Sequence, residues 1–226
     1  MNCGYCVPLL VAERPGTSDL GKHVRVEIVQ EVDAEDDKLE IPWESPTDSR
    51  LRYVDLKSNP QEIGRLEEVA KYPALSGFLR KVNSPPSSFR TAKCDVWETT
   101  ELTEEERLDF HLPHKVGSYL DVLFERPEFN SSLEHHQQLG EKLKQILSRL
   151  RVQAQMDVCV RRCLFRDESR WGYYLTVFIH GYGATRAEAE EEWTRAIAAA
   201  GDALAGIDQV LRTLVATLPA DPPSRQ

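Results

Sequence analysis

The residues best placed to do chemistry lie in 177–193, VFIHGYGATRAEAEEEW. A strand-like run ends in His180, two glycines follow, and a helical pattern opens at Thr185. Backbone amides that converge at a helix N-terminus make a ready anion site. His180, Gly181, Gly183, Thr185 and Arg186 are therefore the candidate ligand-binding residues for a small anion. The spacing is not that of a nucleotide loop, because no glycine stands three residues past Gly183 and no Gly-Lys-Ser/Thr ending follows. Those motifs also belong to parallel sheets, whereas the flanking pattern here is that of an antiparallel hairpin. The preferred reading is a corner, with glycines at positive φ and Thr185 as helix cap.

Other chemistry-bearing residues are weaker. Triad chemistry at His180 would need a nucleophile and an orienting carboxylate, and no Gly-x-Ser-x-Gly elbow occurs. Cys3 and Cys6 have the C-x-x-C spacing of a redox pair or half a zinc site. Pro8 and a β-like run follow them instead of a helix start, and His111 and His114 flank a proline rather than completing a site. No catalytic residue, metal or cofactor is expected. Asp121 and Asp157 fall inside strands, where Arg161 is the obvious partner for Asp157. Within RWGYYLTVF, 170–178, a glycine, one tyrosine and Phe178 match the spacing of an RNA-recognition strand, but the partner motif is missing. Core packing is the preferred use, and single-strand binding through Tyr174 and Phe178 ranks last among the functions considered.

Charge is distributed unevenly. Nine acids stand against Lys38 between Glu27 and Asp48, and seven bases stand against Asp157 between Lys142 and Arg166. Arg149, Arg151, Arg161, Arg162 and Arg166 form the candidate basic patch, open to an acidic partner or complementary to the acidic segment. The formal net charge of −9 argues against bulk nucleic-acid binding, which rests on neutralising phosphates. Five cysteines and no export signal point to reduced thiols in a cytoplasmic protein. The longest apolar run near the N-terminus, CVPLLVA at 6–12, is far too short for a bilayer and reads as a strand, so no membrane is expected.

These groups need elements to position them. In the C-terminal half, Val116, Ser118, Leu120, Val122 and Phe124 alternate as a strand. A helix follows, capped by Ser131 and Glu134, then strands over 153–165 and 173–183, then a long helix from Thr185 with possible breaks at Gly201 and Gly206. Strand, helix, strand, strand, helix is the ferredoxin-like βαββα order. The face bearing Cys159, Cys163, Phe165, Tyr174 and Phe178 is too apolar to stand bare, so the N-terminal half or a second copy should cover it.

The N-terminal half pairs 23–32 with 38–43 as a hairpin across DAEDD, then runs a strand at 51–56 into a helix capped by Asn59 and interrupted at Pro73. A strand at 91–97 and a short helix from Thr103 complete it. The expected fold is α+β with a mainly antiparallel sheet. A strand-rich half at 1–110 is joined to a ferredoxin-like half at 115–216 and a flexible tail at 217–226, with one continuous domain made of both halves as the alternative. The expected role is a non-catalytic protein-interaction or inhibitor module of immunity type, with a protein partner or a second copy. The alternative is an enzyme or sensor for a small anion at the glycine turn.

Overall fold

The computed structural model describes residues 21–33, 36, 38–48 and 50–217, with side chains as far as 212 in the last helix. The protein is α+β, built on a mixed sheet of six strands. The strands are β1 (Val24–Glu31), β2 (Leu39–Ile41), β3 (Phe89–Thr99), β4 (His114–Phe124), β5 (Ala154–Phe165) and β6 (Arg170–Gly183). Their order is β1-β5-β6-β4-β3, with β2 also on β5. The sheet thus takes strands from both halves of the sequence. The β5/β6, β6/β4 and β4/β3 pairs are antiparallel, and β1 and β2 both run parallel to β5.

That parallel edge corrects the expected hairpin. The β1 register ends at Glu31↔Arg161 and that of β2 begins at Leu39↔Cys163. Eight steps along the chain cover two steps of β5, so the chain resumes on the same edge instead of turning back as a hairpin. Residues 51–56 form no strand either, and keep only an isolated Glu44↔Arg52 bridge. The interruption at Pro73 is present: α1 (Glu67–Lys71) stops at Tyr72 and α2 (Ala74–Val82) begins after the proline. Ahead of α1 lies a 3-10 turn, Pro60–Arg65, whose Asn59 makes no side-chain cap.

One face of the sheet carries the helices. Alternation sends Met156, Val158, Leu175, Val177, Ile179, Val116 and Leu120 to that side, where α5 (Leu133–Leu147) and α6 (Arg186–Thr217) seal them into the main core. The N-cap of α5 is Ser132, one residue later than expected, because a short helix, α4 (Pro127–Asn130), occupies the preceding turn. Buried Asn130 locks that turn through two hydrogen bonds with the Phe124 backbone, at 2.9 and 2.8 Å. Gly201 and Gly206 do not break α6; Gly201 admits α2, and a Cβ there would stand 3.3 Å from Phe78. The last helix in this scheme, α3 (Glu104–Phe110), begins at Thr103 with a complete capping box and lies over the opposite face.

Candidate functional site

The second face of the sheet is closed at both ends and open between them. At one end Ile41, Ala92, Leu123, Cys163, Phe165 and Tyr174 are buried together under Leu39 and Tyr53. The indole of Trp43 secures this cover by donating to the Ala92 carbonyl at 2.7 Å. At the other end Phe110 of α3 stacks on Tyr182 with ring centres 3.9 Å apart. Buried Glu106 ties α3 down: its carboxylate accepts from Lys115 at 2.7 Å, from the Tyr182 hydroxyl at 2.8 Å and from the Thr103 amide at 2.8 Å. These donors hold its pKa below the usual range despite the desolvation that opposes them. Arg25 joins the same helix through Glu105 and Asp109. The face that the sequence marks as too apolar to be bare is therefore covered at its two ends from within the chain, by the N-terminal half, which leaves Phe178 outside the covers.

Between the covers, three rows of side chains cross β5, β6, β4 and β3. The first contains Gln155, His180, Gly117 and Trp97; the second contains Asp157, Phe178, Tyr119 and Asp95; the third contains Cys159, Thr176 and Asp121. Trp97, Tyr119, Phe178 and His180 form one half-buried aromatic floor, with ring centres 6.0 to 6.5 Å apart between neighbours. Gly117 makes the floor possible, because a Cβ there would stand 2.7 Å from the Trp97 ring and 3.0 Å from the His180 ring.

The polar groups of this strip are weakly compensated. Asp121 is 4% exposed and takes a 2.7 Å hydrogen bond from Thr176, yet burial pushes its carboxyl up to about 6. Asp157 accepts from Gln155 and is raised by burial, with Glu27 beside it adding to the shift. No ion pair reaches Asp157 or Asp95 among the described residues. His180 has a buried Nδ1 without a partner among the described residues, and burial, with Lys115 nearby, lowers its pKa to about 4. Two of the chain's own cations lie over the floor, Arg161 at 5.5 Å from Phe178 and Lys93 at 5.7 Å from Tyr119. A groove of about 520 Å³ continues past Lys93 toward Trp43 and Arg166.

The glycine turn is arranged differently. Gly181 and Gly183 have no positive φ, contrary to the expected turn geometry; their role is close approach. A Cβ on Gly181 would lie 2.6 Å from the Ala189 carbonyl oxygen, and one on Gly183 2.7 Å from the Glu188 carbonyl carbon. At this turn Glu188 holds the amide of Ala184, ahead of α6, at 2.9 Å, and Thr185 holds that of Glu188, in the first turn of α6, at 3.2 Å. Arg186 pairs with Glu98. His180 points to the opposite face from Gly181, so the five residues do not converge.

Nor do the five arginines form one patch. Arg149 and Arg151 are exposed ahead of β5, and the twelve residues of that strand, about 40 Å at ~3.3 Å per residue, separate them from Arg166. Arg161 pairs with Glu31, Arg166 with Glu40, and Arg162 lies over Trp171 at 4.8 Å. Acidic segment and basic strand are complementary inside the chain. Asp157 does not take Arg161 as its partner, and Tyr174 is buried under the cover. Cys3 and Cys6 lie outside the described residues. Among the described residues no cluster of three or more His, Cys, Asp or Glu could hold a metal ion, and no helix is long and apolar enough to cross a membrane.

Sequence reasoning missed Trp97, Tyr119 and Asp95. Their alternation was visible, but their meeting depends on the β3–β4 register, shifted by a bulge between Thr91 and Cys94. Compared with family models, curated proteins and solved structures, the chain finds no match in any of the three.

Proposed function

We propose that this protein is a non-catalytic interaction module, of inhibitor or immunity type, which binds a basic protein through the open middle of its second sheet face. One observation carries the reading: a half-buried aromatic floor rimmed by carboxylates that form no ion pair among the described residues, on a molecule half of whose bases are engaged within the chain. At least fourteen lysines and arginines of the described residues sit in intramolecular ion pairs, against 28 in the whole chain and a net charge of −9. The surplus charge offered to a partner is acidic, which steers association with a basic surface. Apolar floor and polar rim are also the usual anatomy of a protein interface.

This reading is favoured over a small-anion site at the glycine turn, where Glu188 takes the Ala184 amide, Thr185 takes the Glu188 amide, Glu98 takes Arg186, and His180 points to the other face. We also infer that 115–216 is a ferredoxin-like half within one continuous domain; support comes from β6 lying between β4 and β5, which run parallel to each other. The expected setting is the cytoplasm, from cysteine usage.

The test is affinity isolation from native cells at moderate salt with wild type and a Tyr119→Asp/Phe178→Asp variant, both checked for native melting. A basic protein held by wild type, lost by the variant, and rebinding as a purified complex is the expected result. Identical retained proteins on both columns, or none on either, overturn the proposal.

A further inference from the structure

Resting on the reading of the second face as a protein-binding surface, we infer that its middle strip seats one cationic side chain of the partner. That arginine or lysine lies over the Tyr119 ring on its Trp97 side, with Asp95 and Asp157 at the two ends of the Tyr119 row. The placement follows from the second row of the sheet. Asp157, Phe178, Tyr119 and Asp95 are successive cross-strand partners, so two rings stand between two carboxylates. At ~4.8 Å between strands the whole row spans about 14 Å, and a cation on the rings feels both acids within about a Debye length.

The rings already accept cations. Arg161 and Lys93 lie over Phe178 and Tyr119. Both cations belong to strand positions on the Asp121 side of the row, whereas Trp97 carries no cation among the described residues. Indole is the strongest of the three ring types for such contacts. Next to it His180 is held neutral by burial at ordinary pH, so it does not repel an incoming charge. Asp157 supplies the complementary drive: it is half-buried, hydrogen-bonded among the described residues only to Gln155, and destabilised as an anion by burial and by Glu27, which Arg25 only partly offsets. A partner's guanidinium or ammonium offsets that cost, while a stacked nucleotide would bring phosphate against the same carboxylates.

The experiment uses the full-length protein labelled with nitrogen-15, following the indole N–H of Trp97, assigned by Trp97→Phe. N-acetyl-arginine methylamide, its neutral citrulline isostere and adenosine monophosphate are titrated separately at low salt. A saturable Trp97 shift with the arginine compound only, weakened about fivefold or more by Asp157→Asn or Asp95→Asn, is expected; fivefold is about 1 kcal/mol. Both variants are near-isosteric, and unchanged melting curves show that the floor is intact. An equal shift with the citrulline compound, a preference for the nucleotide, or no saturable shift overturns the inference. Failure here is separable from failure of the proposed function. A partner lost on Tyr119→Asp/Phe178→Asp but bound normally by Asp95→Asn/Asp157→Asn overturns only the cation seat. A seat that binds the arginine compound in a protein retaining no partner overturns only the interaction module.

Discussion

The two faces of the sheet are made from the same strands by alternation, yet they are finished by different rules. On the helix face almost every inward side chain is apolar, and most of the few polar atoms have partners, the His136 Nε2 being an exception among the described residues. The Trp193 indole donates to Ser118 at 2.9 Å, and Asn130 satisfies the Phe124 backbone. On the second face a buried carboxyl, a neutral histidine and an unpaired aspartate sit among aromatic rings. Packing alone explains the first face. On the second it explains only the ends, where Ile41 and Tyr53 or Phe110 cover the strands. A protein selected only for stability would have closed the middle too, because uncompensated polar groups there cost free energy. The open middle is where function is to be sought, and the faces should respond differently to the same kind of damage.

The largest contrast should come from two glycines. Gly181 faces α6, and an added Cβ would strike the Ala189 carbonyl oxygen at 2.6 Å and the Trp193 Cα at 2.7 Å, both backbone atoms of a packed helix. Gly181→Ala should therefore cost more than about 4 kcal/mol, read as a collapse in soluble yield and loss of a cooperative melt. Gly117 faces the open strip, and its Cβ would meet only the Trp97 and His180 side chains, which can swing outward. Gly117→Ala should cost about 1–2 kcal/mol in urea denaturation and leave the fold in place. Equal penalties would break the distinction between a closed and an open face.

Truncation gives the next largest difference. Trp193 is 0% exposed and packs edge-on against Tyr72 at 5.6 Å. Trp193→Ala should cost about 3–5 kcal/mol by cavity formation, with Ser118 left unpaired as well. Phe178 is half-buried, so Phe178→Ala should cost only about 1–2 kcal/mol while removing partner binding. Denaturant midpoints at constant slope check both values.

Acid should also separate the faces. On the helix side His136, wedged against Phe124 at 5.0 Å, is lowered by burial to about 4; His180 on the strip is lowered to a similar value. Below pH 6.5 the unfolded chain protonates both histidines while the folded chain resists until about 4, so stability falls as pH drops through that window. Asp121 works in the opposite sense. Folded, it keeps its proton up to about 6, whereas the unfolded group loses it near 3.8, so its penalty grows as pH rises between those values and is complete above them. Each contribution is on the order of 3 kcal/mol at ~1.4 kcal/mol per pKa unit. Asp121→Asn keeps the acceptor for Thr176, so it should add about 1–2 kcal/mol at neutral pH and steepen the acid loss. A stability-versus-pH curve for the variant that merely parallels wild type would show that Asp121 is not held as an uncompensated acid.

How much of this was legible depends on the range of the interaction concerned. The order β4, α5, β5, β6, α6 rests on local alternation, helical spacing and caps such as Thr185, and sequence reading placed those elements within a few residues. The parallel docking of β1 and β2 on β5 is a contact over more than a hundred residues, and an acidic run like 33–37 looks the same whether it turns a hairpin or loops out. The separation of His180 from Gly181 was available in principle, since adjacent strand residues point to opposite faces. Reading them as one compact site overlooked that pleat. The aromatic floor was less accessible, because Trp97, Tyr119 and Phe178 align only through two strand registers and a bulge.

The smallest expected effect concerns charges already satisfied within the chain. Glu31 and Arg161 join the acidic β1 edge to the basic β5 strand, the pair on which the intramolecular use of the basic region chiefly depends. Both are partly exposed, at 37% and 22% of the side chain, so water screens the attraction and the ordering of two long side chains opposes it. A double-mutant cycle of Glu31→Gln and Arg161→Gln should give a coupling of about 0.5 kcal/mol, weakening further in high salt. Arg161 also lies over Phe178. Releasing it from Glu31 should therefore alter the strip more than the stability, most visibly by freeing a cation already over Phe178 to compete across the rest of the aromatic floor. If Glu31→Gln lowers partner affinity while leaving the melting temperature nearly unchanged, the acidic edge keeps the chain's own cation at the Phe178 end. If it lowers both together, the pair is a structural brace and the two faces are less independent than their packing implies.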